Sequence, residues 1–377
     1  MSLMRVGLST TTIEPVLTNG RFDGIGVYTN ALMQGMPGAG CQVHGFSFAP
    51  SLPHSLRKQF SAGEAMSQPY GVLSLRDLVS PARSRLPVDL YHATDYRIVR
   101  MHCPVVATLH DAVPLKYPEW TRPRLRSLKN WVQKKAAGKA DHVIALSHFA
   151  ITELVEFFGV DERRITVVPC GVGAEWSAPP APEAVQETLT ANGLKAGYFL
   201  FVGTLQPRKN VERIVAAYLG LPPAVRKERQ LVIVGRAGWR CDDLVRQMNA
   251  AIQNGENVIW LNDLAGEDRL RHIYAGAGVF VFPSLYEGFG IPVAEAFASG
   301  VPVVTSNTTS LPEVSEGAAL EVDPSSVADI GDAMLSLVQD DALRARCIAA
   351  GRERASRLTW RRTIEETIAV YRAVLGR

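Results

Sequence analysis

The sequence predicts an α/β protein of two domains, each built on a buried parallel sheet. Three observations predict this. Short apolar runs rich in β-branched and aromatic residues recur along the chain, each followed by glycine or a polar loop and then a helix-like pattern, which is how a buried strand and its crossover read. The length, 377 residues, exceeds what one hydrophobic core supports, about 250 to 300 residues. The stretch 279–305, VFVFPSLYEGFGIPVAEAFASGVPVVT, is a compact strand-loop-helix-strand unit whose crossover should be right-handed.

Composition sets limits. The net charge of +3 is too small to imply nucleic acid. The longest apolar run falls short of the roughly 18 residues a spanning helix needs, and no signal peptide is visible. The five cysteines are scattered with no Cys-x-x-Cys, which argues against a zinc site or disulfide framework and fits a reducing cytoplasm. Met1-Ser2-Leu3 ahead of Met4 reads as a cloning remnant outside the fold.

In the first domain, 4–9 is a short apolar strand. Asp23-Gly24-Ile25-Gly26 follows after a polar loop and opens a helix over 28–33. Gly26 there fits either an ordinary tight turn or amides brought to a phosphate. It is not a full G-x-G-x-x-G, so no dinucleotide fingerprint is expected. Further strands are predicted over 89–92, 105–109 and 142–145. The second ends in His110-Asp111, at the carboxyl edge where open α/β sheets bind ligands. Ser147 precedes a helix over 148–158 and suits an N-cap. The 120–139 stretch carries Arg122, Arg124, Arg126, Lys129, Lys134, Lys135 and Lys139 against Glu119, with Leu125, Leu128 and Val132 at helical spacing and Trp120 and Trp131 flanking. That is either a solvated basic face or a helix lying on an anionic membrane. Residues 178–182, Ala-Pro-Pro-Ala-Pro, read as the linker.

The second domain begins with a strand over 198–202, then Gly203 to Asn210 and a helix from Val211. Asn210 is placed to cap that helix. Arg208 and Lys209 sit at its start, where a diphosphate would gain from both charges and the helix dipole. Strands over 231–234 and 258–261 repeat the pattern. Leu264, beyond the latter, suits a core residue by itself. In the 279–305 unit Pro283 ends the strand, Gly288 and Gly290 loosen the loop, Pro292 marks the helix start and Gly300 its stop. Glu287 lies in the loop and Glu295 about one turn into the helix, leaning back toward it. Carboxylates for hydroxyl groups thus adjoin helix-start amides for an anion, and a sugar linked to a diphosphate needs both. Amphipathic helices are expected over 335–350 and 360–375, the latter with Trp360, Ile364, Ile368, Tyr371 and Leu375 on one face.

YEGFGIPVAEAFASGVPVV, VGTLQPRKNVERIV and TLHDAVPLKYPEW resemble the signature segments of retaining glycosyltransferases of family four. VVPCGV resembles the segment closing the family's first domain, with Cys170 replacing the usual Asn. The resemblance runs from Met4 to the end, strongest over 198–314 and weak over 41–87. It is closest to the mannosyltransferase-like branch of bacterial polysaccharide, O-antigen and lipopolysaccharide synthesis. It implies the GT-B fold: two Rossmann-like domains facing a cleft, with the C-terminal helix crossing back to the first. The expected parts are an acceptor-binding domain over 4–178, a donor-binding domain over 186–357, and the returning helix over 358–377.

By that resemblance the donor is a nucleotide sugar, with a GDP-sugar favoured. The acceptor is a glycan or lipid-linked saccharide, the reaction retains anomeric configuration, and the enzyme is cytoplasmic or peripheral on the inner membrane face. His110, Glu287, Arg208 and Lys209 form the implied catalytic set. Gly26, Ser147, Leu264, Phe289, Gly290, Ile291 and Glu295 join the last three as donor contacts. No cofactor or metal is expected, since no Asp-x-Asp occurs and fixed positive groups would carry the leaving diphosphate. Two rivals remain: a nucleotide-sugar epimerase on the same fold, which the context around Glu287 and Glu295 fits poorly, and a non-catalytic sugar-binding subunit, which would usually lose one of the catalytic set.

Overall fold

The computed structural model describes residues 3–48, 58–80, 83–120, 126–264 and 266–377. Arg122, Arg124 and Leu125 of the basic stretch lie outside them. The chain divides into two compact units, Met1–Cys170 with Trp360–Arg377, and Gly171–Thr359.

The first unit holds strands β1 (Met4–Ser9), β2 (Cys41–Ser47), β3 (Glu64–Ala65), β4 (Leu90–Ala93), β5 (Val105–Leu109), β6 (His142–Ala145) and β7 (Ile165–Val167). They form a parallel sheet in the order β3-β2-β1-β4-β5-β6-β7. The chain runs from β1 toward one edge and then returns to β4 on the other side. The loops after β1 and β4 therefore flank the point where strand order reverses, the usual ligand position in such sheets. The helix Trp360–Leu375 buries Ile364, Ile368 and Tyr371 in this unit and packs on the helix Gly24–Gly35.

The second unit holds β8 (Tyr198–Val202), β9 (Leu231–Val234), β10 (Val258–Leu261), β11 (Ala277–Phe282), β12 (Val303–Ser306) and β13 (Leu320–Val322). Their order is β10-β9-β8-β11-β12-β13, again parallel. Here the reversal falls between β8 and β11. Phe201 stacks on Phe282 and Phe282 on Phe280, with centroids 5.9 and 5.7 Å apart. This aromatic layer ties the two strands whose loops carry the site. Burying each such ring stabilises the unit by about 1.5–3 kcal/mol.

The architecture is the expected one: two parallel-sheet α/β units, with the last helix on the first. Details differ. The strand β2 was not expected, because CQVHGFS has no apolar run; it is held by pairing with β1 from Met4↔Cys41 to Ser9↔Phe46. The expected single helix over 335–350 is two helices, Val327–Gln339 and Asp341–Arg357. Asp340 breaks them at φ −109°, ψ 95°, and its carboxylate caps the second through the Leu343 amide at 2.8 Å. The helix expected over 148–158 widens to a π turn over Leu154–Phe158 and stops at Gly159, φ 69°. The first unit ends at Cys170 rather than at 178. Beyond it Val172 bridges Thr359, and the Trp176 ring packs edge-on against Tyr274 at 5.2 Å and donates its indole N–H to Glu267 at 3.2 Å. No helix among the described residues is long and apolar enough to cross a membrane.

Candidate functional site

In the second unit, β8 and β11 are parallel neighbours, so the loops leaving their carboxyl ends emerge side by side. The Leu285 amide donates to the Arg208 carbonyl at 2.8 Å, and Arg208 Nη1 to the Tyr286 carbonyl at 3.1 Å. Across this seam Arg208 Nη1 lies 2.8 Å from Glu287 Oε2, and Lys209 Nζ 2.7 Å from Glu287 Oε1. Lys209 Nζ also sits 4.7 Å above the Phe282 ring, a cation–π contact. Burial alone would raise the Glu287 pKa, but Arg208 and Lys209 outweigh it and hold the carboxyl at about 2.

Sequence reasoning separated these residues by role, the two cations for diphosphate and Glu287 for sugar. The structure joins them in one ion triad of net charge +1. A ligand anion that binds the cations shares them with Glu287, so the loop carrying Glu287 is coupled to whatever the cations hold.

Asn210 does not cap the following helix as expected. It adopts the left-handed conformation at φ 61°, with no side-chain cap bond. Its amide instead donates to the Pro283 and Pro324 carbonyls at 2.8 and 2.6 Å, and its Oδ1 accepts from Arg213 at 2.7 Å. Left-handed backbone, which Asn tolerates better than most residues, turns that side chain into a clamp between loops.

The helix Ile291–Ala298 starts after Gly290, whose φ of 116° only glycine adopts readily. Phe289 is buried and Ile291 half-buried. Glu295 is buried on this helix, and its Oε2 accepts from the Tyr274 hydroxyl at 3.1 Å. Burial pushes its carboxyl up to about 7; the Tyr274 bond opposes the shift and the charge of Glu267 adds to it.

Three positioning residues were given no role in the sequence reading. The Ser310 hydroxyl lies 2.9 Å from both the Glu287 and Phe289 carbonyls. Thr309 Oγ1 accepts from the Glu287 amide at 3.4 Å, and Tyr274 holds Glu295. The signal for the first two was the polar segment that follows β12, the buried strand beside β11. Tyr274 gave none, since a tyrosine on a helix reads as core.

In the first unit His110 follows β5 and is buried. Its Nε2 lies 2.8 Å from the Thr94 carbonyl, so that nitrogen carries the proton and Nδ1 is the acceptor. The Thr94 hydroxyl in turn donates to the Ser9 carbonyl at 2.8 Å, which binds His110 to the strand-order reversal. Burial lowers the ring's pKa, against the pull of the Thr94 carbonyl and nearby aspartates, so the ring is neutral. Asp111 holds the loop: it accepts from the Tyr96 hydroxyl at 2.7 Å and the Val113 amide at 3.0 Å.

Gly26 donates its amide to the Asp23 carboxylate at 2.9 Å, so in this structure a helix cap occupies that N–H. A Cβ there would come within 2.9 Å of the Thr12 carbonyl. Ser147 caps its helix through the Ala150 amide at 3.3 Å. Leu264, in the second unit, is half-buried and not part of the core. The helix Arg126–Ala137 leaves Leu128 and Trp131 exposed beside exposed Lys129, Lys134 and Lys135. No group of three or more His, Cys, Asp or Glu among the described residues could hold a metal ion.

Comparison with known proteins covers both units. Residues 22–176 match the family described as Glycosyltransferase Family 4, and residues 189–354 match Glycosyl transferases group 1. The chain is 32% identical over 287 residues to the O-antigen chain mannosyltransferase B of Escherichia coli, covering 75% of this chain and 74% of that one. It is 28% identical over 277 residues to the serotype-specific mannosyltransferase WbdA of Escherichia coli, covering 72% of this chain and 33% of that longer one. Its backbone matches a sucrose-phosphate synthase from Thermosynechococcus elongatus with TM-score 0.75 at 21% identity, covering 99% of each chain.

Proposed function

Because the chain belongs to the hexose-transferring, mannosyltransferase-like glycosyltransferases of family four, we propose that it moves mannose from GDP-mannose onto a glycan or lipid-linked saccharide in O-antigen-type polysaccharide synthesis. The transfer retains the anomeric configuration and needs no metal. The observation that carries this reading is the Arg208–Lys209–Glu287 triad at the strand-order reversal of the second sheet. Two fixed cations stand there beside a carboxylate that stays ionised at neutral pH.

In this reaction Arg208 and Lys209 bind the diphosphate, and Glu295 takes the ribose hydroxyls. Glu287, with the amides of Phe289 and Gly290, holds the hexose, and the neutral His110 ring is the group that the first unit contributes to hexose transfer. The acceptor oxygen bonds to the anomeric carbon as the carbon–phosphate-oxygen bond breaks. The departing phosphate oxygen takes the acceptor proton. Charge accumulates on that oxygen, and preorganised cations stabilise it without reorganising. Glu287 is not a covalent nucleophile in this scheme, since both its oxygens face cations.

A thermal-shift panel of GDP-, UDP- and ADP-sugars tests the donor: GDP-mannose should raise the melting temperature most, by mass action, and a larger rise with a UDP-sugar overturns the assignment. Transfer should persist in EDTA; activity lost and then restored by Mg²⁺ defeats the metal-free claim. Donor incubated alone should not yield an isomerised sugar, which an epimerase would make.

A second reading concerns placement. Leu128 and Trp131, exposed among lysines on Arg126–Ala137, suit a cytoplasmic enzyme resting on an anionic membrane to reach a lipid-linked acceptor. Co-sedimentation with phosphatidylglycerol vesicles, lost in Trp131→Glu, is the expected result.

A further inference from the structure

The first unit buries a line of polar side chains that the reaction scheme does not use. The Tyr28 hydroxyl lies 2.9 Å from Thr108 Oγ1, and Thr108 Oγ1 2.8 Å from His92 Nε2. His92 Nδ1 lies 2.6 Å from the Tyr371 hydroxyl, which donates to Met36 Sδ at 3.9 Å. Every member is fully buried. The line starts on the helix Gly24–Gly35, crosses β5 and β4, and ends on the last helix.

One proton order satisfies the whole line. With Tyr371 donating to sulfur, its oxygen accepts from His92 Nδ1–H. His92 Nε2 then accepts from Thr108, and Thr108 from Tyr28. This requires a neutral His92, and burial holds that ring's pKa down at about 3, with His110 adding to the effect. Apolar side chains of similar shape would fill this space without needing four aligned partners. A satisfied buried polar line fixes orientation rather than adding stability.

What it orients is the Tyr28 ring. That ring meets His110 edge to face, centroids 5.2 Å apart at 90°. On the same ring lies Trp360, first residue of the last helix, at 6.3 Å. Tyr28 is thus held at its hydroxyl through Tyr371 and at its ring by Trp360, both from one helix.

We propose that the last helix sets the plane of the His110 ring through the line Tyr371–His92–Thr108–Tyr28, and that Tyr371 and Thr108 are positioning residues for hexose transfer. The proposal rests on the role in hexose transfer proposed above for His110. The backbone carbonyl of Thr94 fixes one edge of the imidazole; the Tyr28 ring fixes its tilt. Losing either hydroxyl frees Tyr28 to rock and lets Nδ1 wander, and small misplacement of a reacting group lowers rate steeply.

The test is a double-mutant cycle with GDP-mannose as donor, read as GDP released, together with ¹⁵N-histidine spectra of the unliganded protein. Tyr371→Phe and Thr108→Val should each lower kcat roughly ten-fold or more with donor KM unchanged, and should shift the His110 ring signals. In a His110→Ala background neither should lower kcat further. Equal losses with and without His110, or unmoved His110 signals in both variants, overturn the proposal. If Tyr371→Phe does not fold, Thr108→Val, which keeps the side-chain shape, decides alone. Wild-type kcat in His110→Ala instead refutes the role given to His110, and the spectra still report whether the line holds its ring.

Discussion

The Tyr274 hydroxyl donates to Glu295 Oε2 at 3.1 Å, both groups buried, and this bond does not suffice to keep the carboxyl acidic. Burial dominates and raises its pKa from 4.5 to about 7. Between those values the folded state holds a proton that the unfolded state has lost. Stability therefore falls as pH rises through that window and is level above it. Glu295→Gln keeps an acceptor for Tyr274 and removes the penalty. It should stabilise the protein by up to about 3 kcal/mol at pH 8 and by little at pH 4. Urea unfolding at both pH values checks this; equal changes at both would sink it.

Lys209 is buried against Glu287. Removing one member of a buried ion pair strands the other's charge, which destabilises by about 3 kcal/mol or more. Lys209→Met should lose about that much even with Arg208 still in place, and adding Glu287→Gln should restore most of it. A double variant as unstable as the sum of the singles would show that the triad is not a coupled unit.

The same triad gives an acid signature. The Glu287 carboxyl is lowered from 4.5 to about 2, so its stabilising effect is full above the unfolded value and lost as pH falls through the folded one. Wild type should exceed Glu287→Gln in stability at pH 6, and the gap should close toward pH 2. Guanidinium melts across that range measure it, and a gap independent of pH is the contrary result.

Arg208 is partly open to solvent, its side chain 21% exposed. It also holds the buried Glu287 carboxylate, so its removal should act on both turnover and folding. Arg208→Ala should lower kcat/KM by about two to three orders of magnitude and also lower the melting temperature, less so in a Glu287→Gln background. Near-normal turnover would remove Arg208 from the proposed diphosphate site.

Ser147 separates a cap from a donor contact. As a cap through the Ala150 amide, Ser147→Ala should lose about 1 kcal/mol of stability. As a donor contact it should also weaken GDP-mannose in a thermal-shift titration. Asp at this position keeps the cap and should restore stability, so any remaining loss of affinity belongs to the donor.

Local patterns were enough to place most of the scaffold. The runs at 105–109, 142–145, 198–202, 231–234 and 258–261 became strands with those bounds, because a buried parallel strand needs an unbroken apolar run that few other structures tolerate. The helix from Trp360 to Leu375 followed from its apolar spacing, and Gly290 and Gly300 from backbone angles that only glycine accepts readily. Cys41–Ser47 could not be read, since neighbouring strands rather than its own side chains make it a strand. The turn at Asp340 was equally hidden, because one capping bond competes there with a continuous helical pattern. The sequence named Arg208, Lys209 and Glu287 but put them to separate tasks. Their union depends on β8 and β11 lying side by side, a pairing between residues some 78 apart that no local window contains. The line from Tyr371 to Tyr28 likewise spans hundreds of residues. Short-range chemistry sets what each segment can become; which side chains share a charge or a proton is settled only when distant strands meet.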